Sequence, residues 1–198
     1  MSETPTLILA SRSGVRAMLL ENAGVHFRVE VSPVDEAAAK VGFEGDGDSL
    51  ARMLAERKAE SVSAEAGQQF VIGADQVLSC NGRLFDKPRH QKEARENLCA
   101  FRGQTHTLHS AVTVAREGKT EWAYVAQAHL TMRDFSDEFL DHYMRRSGEK
   151  ILKSVGCYQL EGPGIQLFER IEGDYFTILG LPLLPLFSYL RKHDALET

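Results

Sequence analysis

The stretch Thr6-Leu7-Ile8-Leu9-Ala10-Ser11-Arg12-Ser13-Gly14-Val15-Arg16 decides how the chain folds. Thr6 to Ala10 is a continuous apolar run and reads as a buried strand. Ser11 to Gly14 breaks it. Val15 to Ala23 then follows helical spacing, with Val15, Met18, Leu19 and Ala23 on one face and Gly24 as the stop. A buried strand that turns directly into a helix aims backbone N–H groups and the helix dipole at the space beyond the sheet edge. Two hydroxyls and two guanidiniums in that turn can cradle an anion, and Arg can grip phosphate through paired hydrogen bonds. The same residues also make an ordinary polar turn with an N-cap serine, and spacing alone leaves both open.

Outward from this unit, His26 to Val31 alternates Phe27, Val29 and Val31 as a half-buried strand, and Val34 to Asp48 reads as an acidic loop. Ser49 caps an expected helix to about Ala66. Phe70 to Leu78 reads as a strand, Asn81-Gly82 as a tight turn, and Gln91 to Phe101 as a helix stopping at Gly103. Thr107 to Ala115 and Trp122 to Met132 read as long antiparallel strands joined by Glu117-Gly118-Lys119. Ser136 caps a helix to Arg146 with Phe139, Leu140, Tyr143 and Met144 inward, and Gly156 to Gly164 is loop-rich. Phe176 to Leu179 reads as short and extended, with Pro182 in the first turn of a last helix. The order strand–helix–strand–helix–strand, then hairpin and helices, predicts an α/β fold with a mixed sheet. Residues 1–198 form one domain in this reading, with residues 104–135 as a second lobe and a cleft between the lobes.

With 198 residues the chain can bury a sizeable core, and 43% apolar and 26% charged residues exclude wholesale disorder. The net charge of -5 argues against a grip on duplex nucleic acid through its phosphates. The longest apolar candidate, Ile178 to Leu190, is punctuated by Gly180, Pro182 and Pro185, so no membrane helix is expected. The N-terminus lacks a basic n-region, and Cys80, Cys99 and Cys157 form no C-x-x-C pair. A reducing cytoplasm is the simple expectation.

Several residues carry candidate chemistry. Asp75 stands inside an apolar strand, where a carboxylate must meet a cation, a metal or a cluster of donors, or cap a neighbouring loop. Asp35-Glu36 follows a strand and with Asp75 could supply oxygen ligands to Mg²⁺, or be a solvated loop. Lys58 and Lys87 are candidate point charges for phosphate, Lys87 being held beside Pro88. His106 and His109 fall on opposite faces of a strand and make no metal pair. In Tyr158-Gln159-Leu160-Glu161-Gly162-Pro163-Gly164 an aromatic ring and a carboxylate could stack on and hydrogen-bond a base, or the tyrosine could simply pack. Neither G-x-x-x-x-G-K-[ST] nor G-x-G-x-x-G is present.

Taken in order, these segments resemble one family over nearly the whole chain, the Maf-like nucleoside triphosphate pyrophosphatases. The resemblance rests on L-A-S-x-S-x-x-R (Leu9 to Arg16), V-D-E (Val34 to Glu36), R-K-A (Arg57 to Ala59) and G-A-D-Q-V (Gly73 to Val77). It continues through Lys87-Pro88, Gly103 to His106, the Y-x-x-E-G-x-G loop and Gly180 to Leu183. It implies a two-lobed α/β fold with a central active-site cleft. The implied reaction splits a nucleoside triphosphate between the α- and β-phosphates, giving a nucleoside monophosphate and pyrophosphate, with a divalent cation (Mg²⁺ or Mn²⁺) required. It further implies a house-cleaning role, with some members linked to arrest of septum formation, and allows a homodimer. Asp75 matches the family's catalytic aspartate, and Ser11, Arg16, Glu36, Lys58 and Lys87 match its pocket, with Glu36 and Asp75 on the metal.

Three positions bear on the base. Val15 stands where many members have a second arginine and where the branch acting on 7-methyl-GTP often has Trp. Gln76 and Glu161 look like that branch, because the pyrimidine-preferring branch has Thr and Gln there. A carboxylate at Glu161 can accept from the N1–H and N2 amino group of guanine. Gly156-Cys157-Tyr158 is closer to the pyrimidine branch. A general or modified-purine nucleotide is expected, with a 7-methyl-GTP-specific enzyme or a non-catalytic nucleotide-binding regulator of division as alternatives.

Overall fold

In the computed structural model residues 7–196 are described; Thr6 and the residues used to judge a secretory signal lie outside them. The element order is β1 (Leu7–Leu9), α1 (Gly14–Asn22), β2 (Phe27–Val29), α2 (Glu36–Lys40), α3 (Gly47–Ser63), β3 (Phe70–Cys80) and β4 (Arg83–Phe85). Then come α4 (Gln91–Phe101), β5 (Thr105–Arg116), β6 (Lys119–Met132), α5 (Asp137–Ser147), two 3-10 segments, β7 (Phe168–Glu172), α6 (Tyr175–Ile178) and α7 (Leu183–Lys192). The seven-stranded sheet has the order β2-β1-β3-β5-β6-β7, with β4 paired to β3. β1 runs parallel to β2 and β3, while β4 on β3 and β7 on β6 are antiparallel, so the sheet is mixed.

Strand periodicity explains the packing. Successive side chains on a strand point to opposite faces. Leu7 and Leu9 pair with Phe70 and Ile72 and share one core with Ala74, Leu19 and Leu20 of α1 and Leu183, Leu186 and Leu190 of α7. Ile8, Ala10 and Val71 form the other cluster with Val62 of α3. The α3 face of β3 therefore carries Val71, Gly73 and Asp75, and the α1–α7 face carries Phe70, Ile72, Ala74 and Gln76.

The chain divides into two compact units, residues 1–76, 110–126 and 175–198, and residues 77–109 and 127–174. The hairpin read as a second lobe gives residues to both. In the second unit His106, Phe101, Tyr158 and Phe168 cluster, and Phe85 packs edge-on against Phe101 at 4.7 Å. Among the described residues no helix is long and apolar enough to cross a membrane.

Several local expectations are corrected. The segment read as an acidic loop contains α2: Asp35 Oδ1 accepts from the N–H of Ala37 and Ala38, and the alanine run continues the helix. Asp46, not Ser49, caps α3, accepting from Ser49 N at 2.8 Å, and α3 ends at Ser63. Val29 and Val31 are exposed because β2 is an edge strand, rather than half-buried on one face. Residues 175–178 are helical rather than extended, and Pro182 precedes α7 as its N-cap. The short strands β4 and β7 have too few residues for a clear sequence period.

Candidate active site

Asp75 is 6% exposed. Its Oδ1 lies 2.5 Å from Lys58 Nζ, and the same ammonium stands 2.6 Å from Glu36 Oε1. Each element has a reason to be there. Gly73 lets α3 approach β3: a Cβ at that position would fall 2.3 Å from Ala55 O and 2.8 Å from Ala59 Cβ. Lys58 lies between those alanines in sequence and is 8% exposed, so the helix that packs on Gly73 also delivers the ammonium. Glu36 opens α2, and the segment before it is pinned where Ser32 Oγ and Ser61 Oγ of α3 meet at 2.9 Å. A buried ammonium between two carboxylates is a paired arrangement, the only kind a buried charge tolerates cheaply.

Arg16 reaches the opposite side of the same peptide. Its Nε donates to Gly180 O at 2.8 Å, and its Nη1 to Ala74 O at 2.8 Å and Ser11 Oγ at 3.3 Å. Burial draws its pKa below the ordinary value, and the charges of Asp75 and Glu36 push back upward. Ser13 caps α1, accepting from Arg16 N, while Ser11 Oγ accepts from Ser13 N at 3.2 Å. The opening turn is thus a capped strand–helix turn that also collects the Arg16 head. Val15 is half-buried in the first turn of α1. Gln76 Nε2 donates to Ser110 Oγ, Thr177 O and Ile178 O at 2.8, 3.1 and 3.0 Å.

The first unit accordingly brings together Ser11, Arg16, Glu36, Lys58, Asp75 and Gln76. Lys87 and Glu161 belong to the second unit and are exposed, Lys87 between β4 and α4 and Glu161 before a 3-10 turn. Tyr158 takes the packing alternative: its hydroxyl meets His106 Nε2 at 2.8 Å, and its ring stands edge-on to Phe168 at 4.8 Å. Burial holds His106 neutral, its pKa lowered from 6.5 to about 4. His109 meets Ser79 Oγ instead, so the two histidines part as their spacing predicts. The residues that sequence reading missed are Ser110 and Thr177. Their one signal was a serine and a threonine in otherwise apolar surroundings.

Asp75 and Glu36 offer carboxylate oxygens alone, a donor set suited to Mg²⁺ or Mn²⁺. Among the described residues no group of three or more His, Cys, Asp or Glu gathers.

The mixed α/β sheet thus carries a buried Asp75–Lys58 pair with the exposed Glu36 on the same ammonium. The family profile described as Maf-like protein matches residues 6–193, and the chain belongs to that family. A nucleoside triphosphate pyrophosphatase of Caulobacter vibrioides is 53% identical over 199 residues, covering 99% of each chain. A 7-methyl-GTP pyrophosphatase of Rhizobium etli is 49% identical over 197 residues, covering 98% of this chain and 99% of the relative. Another of that name from Brucella suis is 48% identical over 98% of this chain and 99% of its own length.

Proposed function

We propose that this protein hydrolyses nucleoside triphosphates between the α- and β-phosphates, releasing a nucleoside monophosphate and pyrophosphate. The observation that carries this reading is the buried Asp75 carboxylate fixed by Lys58, with Glu36 on the same ammonium. The names of the Caulobacter and Rhizobium relatives support the reaction. Asp75 orients a water and takes its proton as the water oxygen bonds to the α-phosphorus. The bond from that phosphorus to the bridging oxygen breaks, and its electron pair leaves with pyrophosphate. Lys58 balances the two carboxylates, and Arg16 and Ser11, which share a hydrogen bond, would contact the triphosphate, a role that rests on the resemblance. Glu36 and Asp75 would hold Mg²⁺ or Mn²⁺, which when bound neutralises charge developing on the phosphoryl oxygens. Lys87 as a phosphate contact, and Val15 and Glu161 as base contacts, rest on the resemblance. So do a cytoplasmic setting, a link to septum formation and a homodimer.

For the base we infer a general or modified-purine nucleotide, because Glu161 offers acceptors that suit guanine. Pyrophosphate release is measured with dTTP, UTP, CTP, GTP and 7-methyl-GTP, with Mg²⁺, Mn²⁺ or a chelator. Asp75→Asn, checked for folding, is expected to lower turnover about 10²- to 10⁴-fold, the range of a lost general base. Wild-type turnover by that variant would overturn the role of Asp75. No turnover by folded, cation-supplied wild-type protein would favour the binding regulator.

A further inference from the structure

We infer that the Lys58 ammonium is an internal stand-in for the divalent cation: it occupies the ground between Asp75 and Glu36, and the site takes up a cation only as that ammonium is released. The inference deepens the reading of Asp75 and Glu36 as cation ligands and rests on it. Lys58 Nζ lies 2.5 Å from Asp75 Oδ1 and 2.6 Å from Glu36 Oε1. Mg²⁺ binds its oxygens at about 2.1 Å, so a cation that takes either oxygen competes with the ammonium for it. The two would also repel, since like charges a few ångströms apart in a partly dry site weaken each other's hold on shared carboxylates. Both carboxylates act on the charge of Arg16 as well. Two carboxylates thus face two fixed cations, and little negative charge is left over to draw in a third.

The three groups differ in their freedom to move. Asp75 stands on β3, a central strand between β1 and β5, and is buried there. Lys58 leaves a helix packed on β3 at Gly73, so its backbone is fixed, while a flexible four-carbon stem carries the charge. Glu36 opens α2, a five-residue helix with no buried residue, and its side chain is 45% exposed. Release therefore moves the Lys58 head and Glu36 while Asp75 stays in place. An ammonium has three N–H donors, and one drawn off its carboxylates needs other acceptors. The phosphates of a nucleotide supply them. Nucleotide and cation accordingly favour each other's binding through Lys58, and such coupling is reciprocal. Without a nucleotide the ammonium stays on the carboxylates and holds the affinity for a cation down.

The test titrates Mn²⁺ into nucleotide-free wild type, Lys58→Met and Lys58→Gln, following unbound Mn²⁺ by its electron paramagnetic resonance signal. Circular dichroism and thermal melting check each fold. Both variants are expected to bind Mn²⁺ at least about tenfold more tightly than wild type, because the carboxylates have lost their fixed competitor. Equal or weaker binding in the variants would overturn the inference, and so would an absence of binding in all three proteins. In either case, wild-type pyrophosphate release that still requires Mg²⁺ leaves the cation reading standing. Asp75→Asn added to Lys58→Met should abolish the gain. A gain that survives this change would put the cation elsewhere, and would remove the proposed cation site together with the inference. If Lys58→Met fails to fold, Lys58→Gln, whose amide can still donate to Asp75, carries the same comparison.

Discussion

Lys58 and His106 are both buried, yet burial has opposite consequences for them. Lys58 keeps two carboxylate partners within 2.6 Å, so removing either partner leaves charge with less compensation. Among the described residues His106 has only the Tyr158 hydroxyl as a hydrogen-bond partner and its Nδ1 has none, and burial holds the ring neutral. Its folded pKa, about 4, lies below the ordinary 6.5. Between those values the unfolded chain binds the proton and the folded chain does not, so stability present above pH 6.5 is lost as pH falls towards 4. The loss amounts to about 3 kcal/mol from this residue. Urea midpoints measured from pH 7 down to pH 4 should fall more steeply in wild type than in His106→Asn, with the gap opening below pH 6.5. Parallel slopes would show that His106 does not titrate in this way.

At the scale of elements, the approach of α3 to β3 is the critical packing contact of the site. Gly73→Ala puts a methyl 2.3 Å from Ala55 O, and a helix backbone cannot yield as a flexible side-chain tip can. α3 must back away, which costs about 1–3 kcal/mol and withdraws Lys58 from Asp75. A lowered denaturation midpoint together with reduced kcat is expected; a wild-type midpoint would mean that α3 adapts without moving. The sequence foreshadows this through a glycine inside an apolar strand, and it places β3 and α4 well because their patterns are long and bounded by turn residues. It hides α2 and α6, which are too short to show a period. Glu-Ala-Ala-Ala-Lys has good helix formers, but they stand in a stretch whose acidity and glycines suggest a loop. α6 depends on Gln76, Ser110 and Arg16 to satisfy the turn that follows it, and such distant partners leave no local spacing. The same limit applies to the site: Asp75 in a strand announces that it needs a cation, yet only the fold selects Lys58, carried on a helix that Gly73 admits.

Over the whole molecule the division into two units has a thermodynamic consequence, because three strands contribute to both. β3 gives Phe70–Gln76 to the first unit and Val77–Cys80 to the second, and the unit boundary also falls within β5 and β6. A strand that loses its ladder at one end leaves backbone donors and acceptors to be satisfied at the break, so the units should unfold as one cooperative system. The chain supplies a probe for each. Its single tryptophan, Trp122, lies in the first unit, stacked on Tyr189 at 5.0 Å, and all three cysteines lie in the second. Cys99 is exposed, whereas Cys80 and Cys157 are buried, and burial pushes the Cys157 thiol up to about 12, so little thiolate forms without opening. In native protein a thiol reagent should modify Cys99 alone. In a urea series, reaction of the two buried thiols and loss of the native Trp122 emission should share one midpoint. Thiols that open at lower urea than the tryptophan would show that the second unit melts while the first, with the Asp75 cluster, still stands.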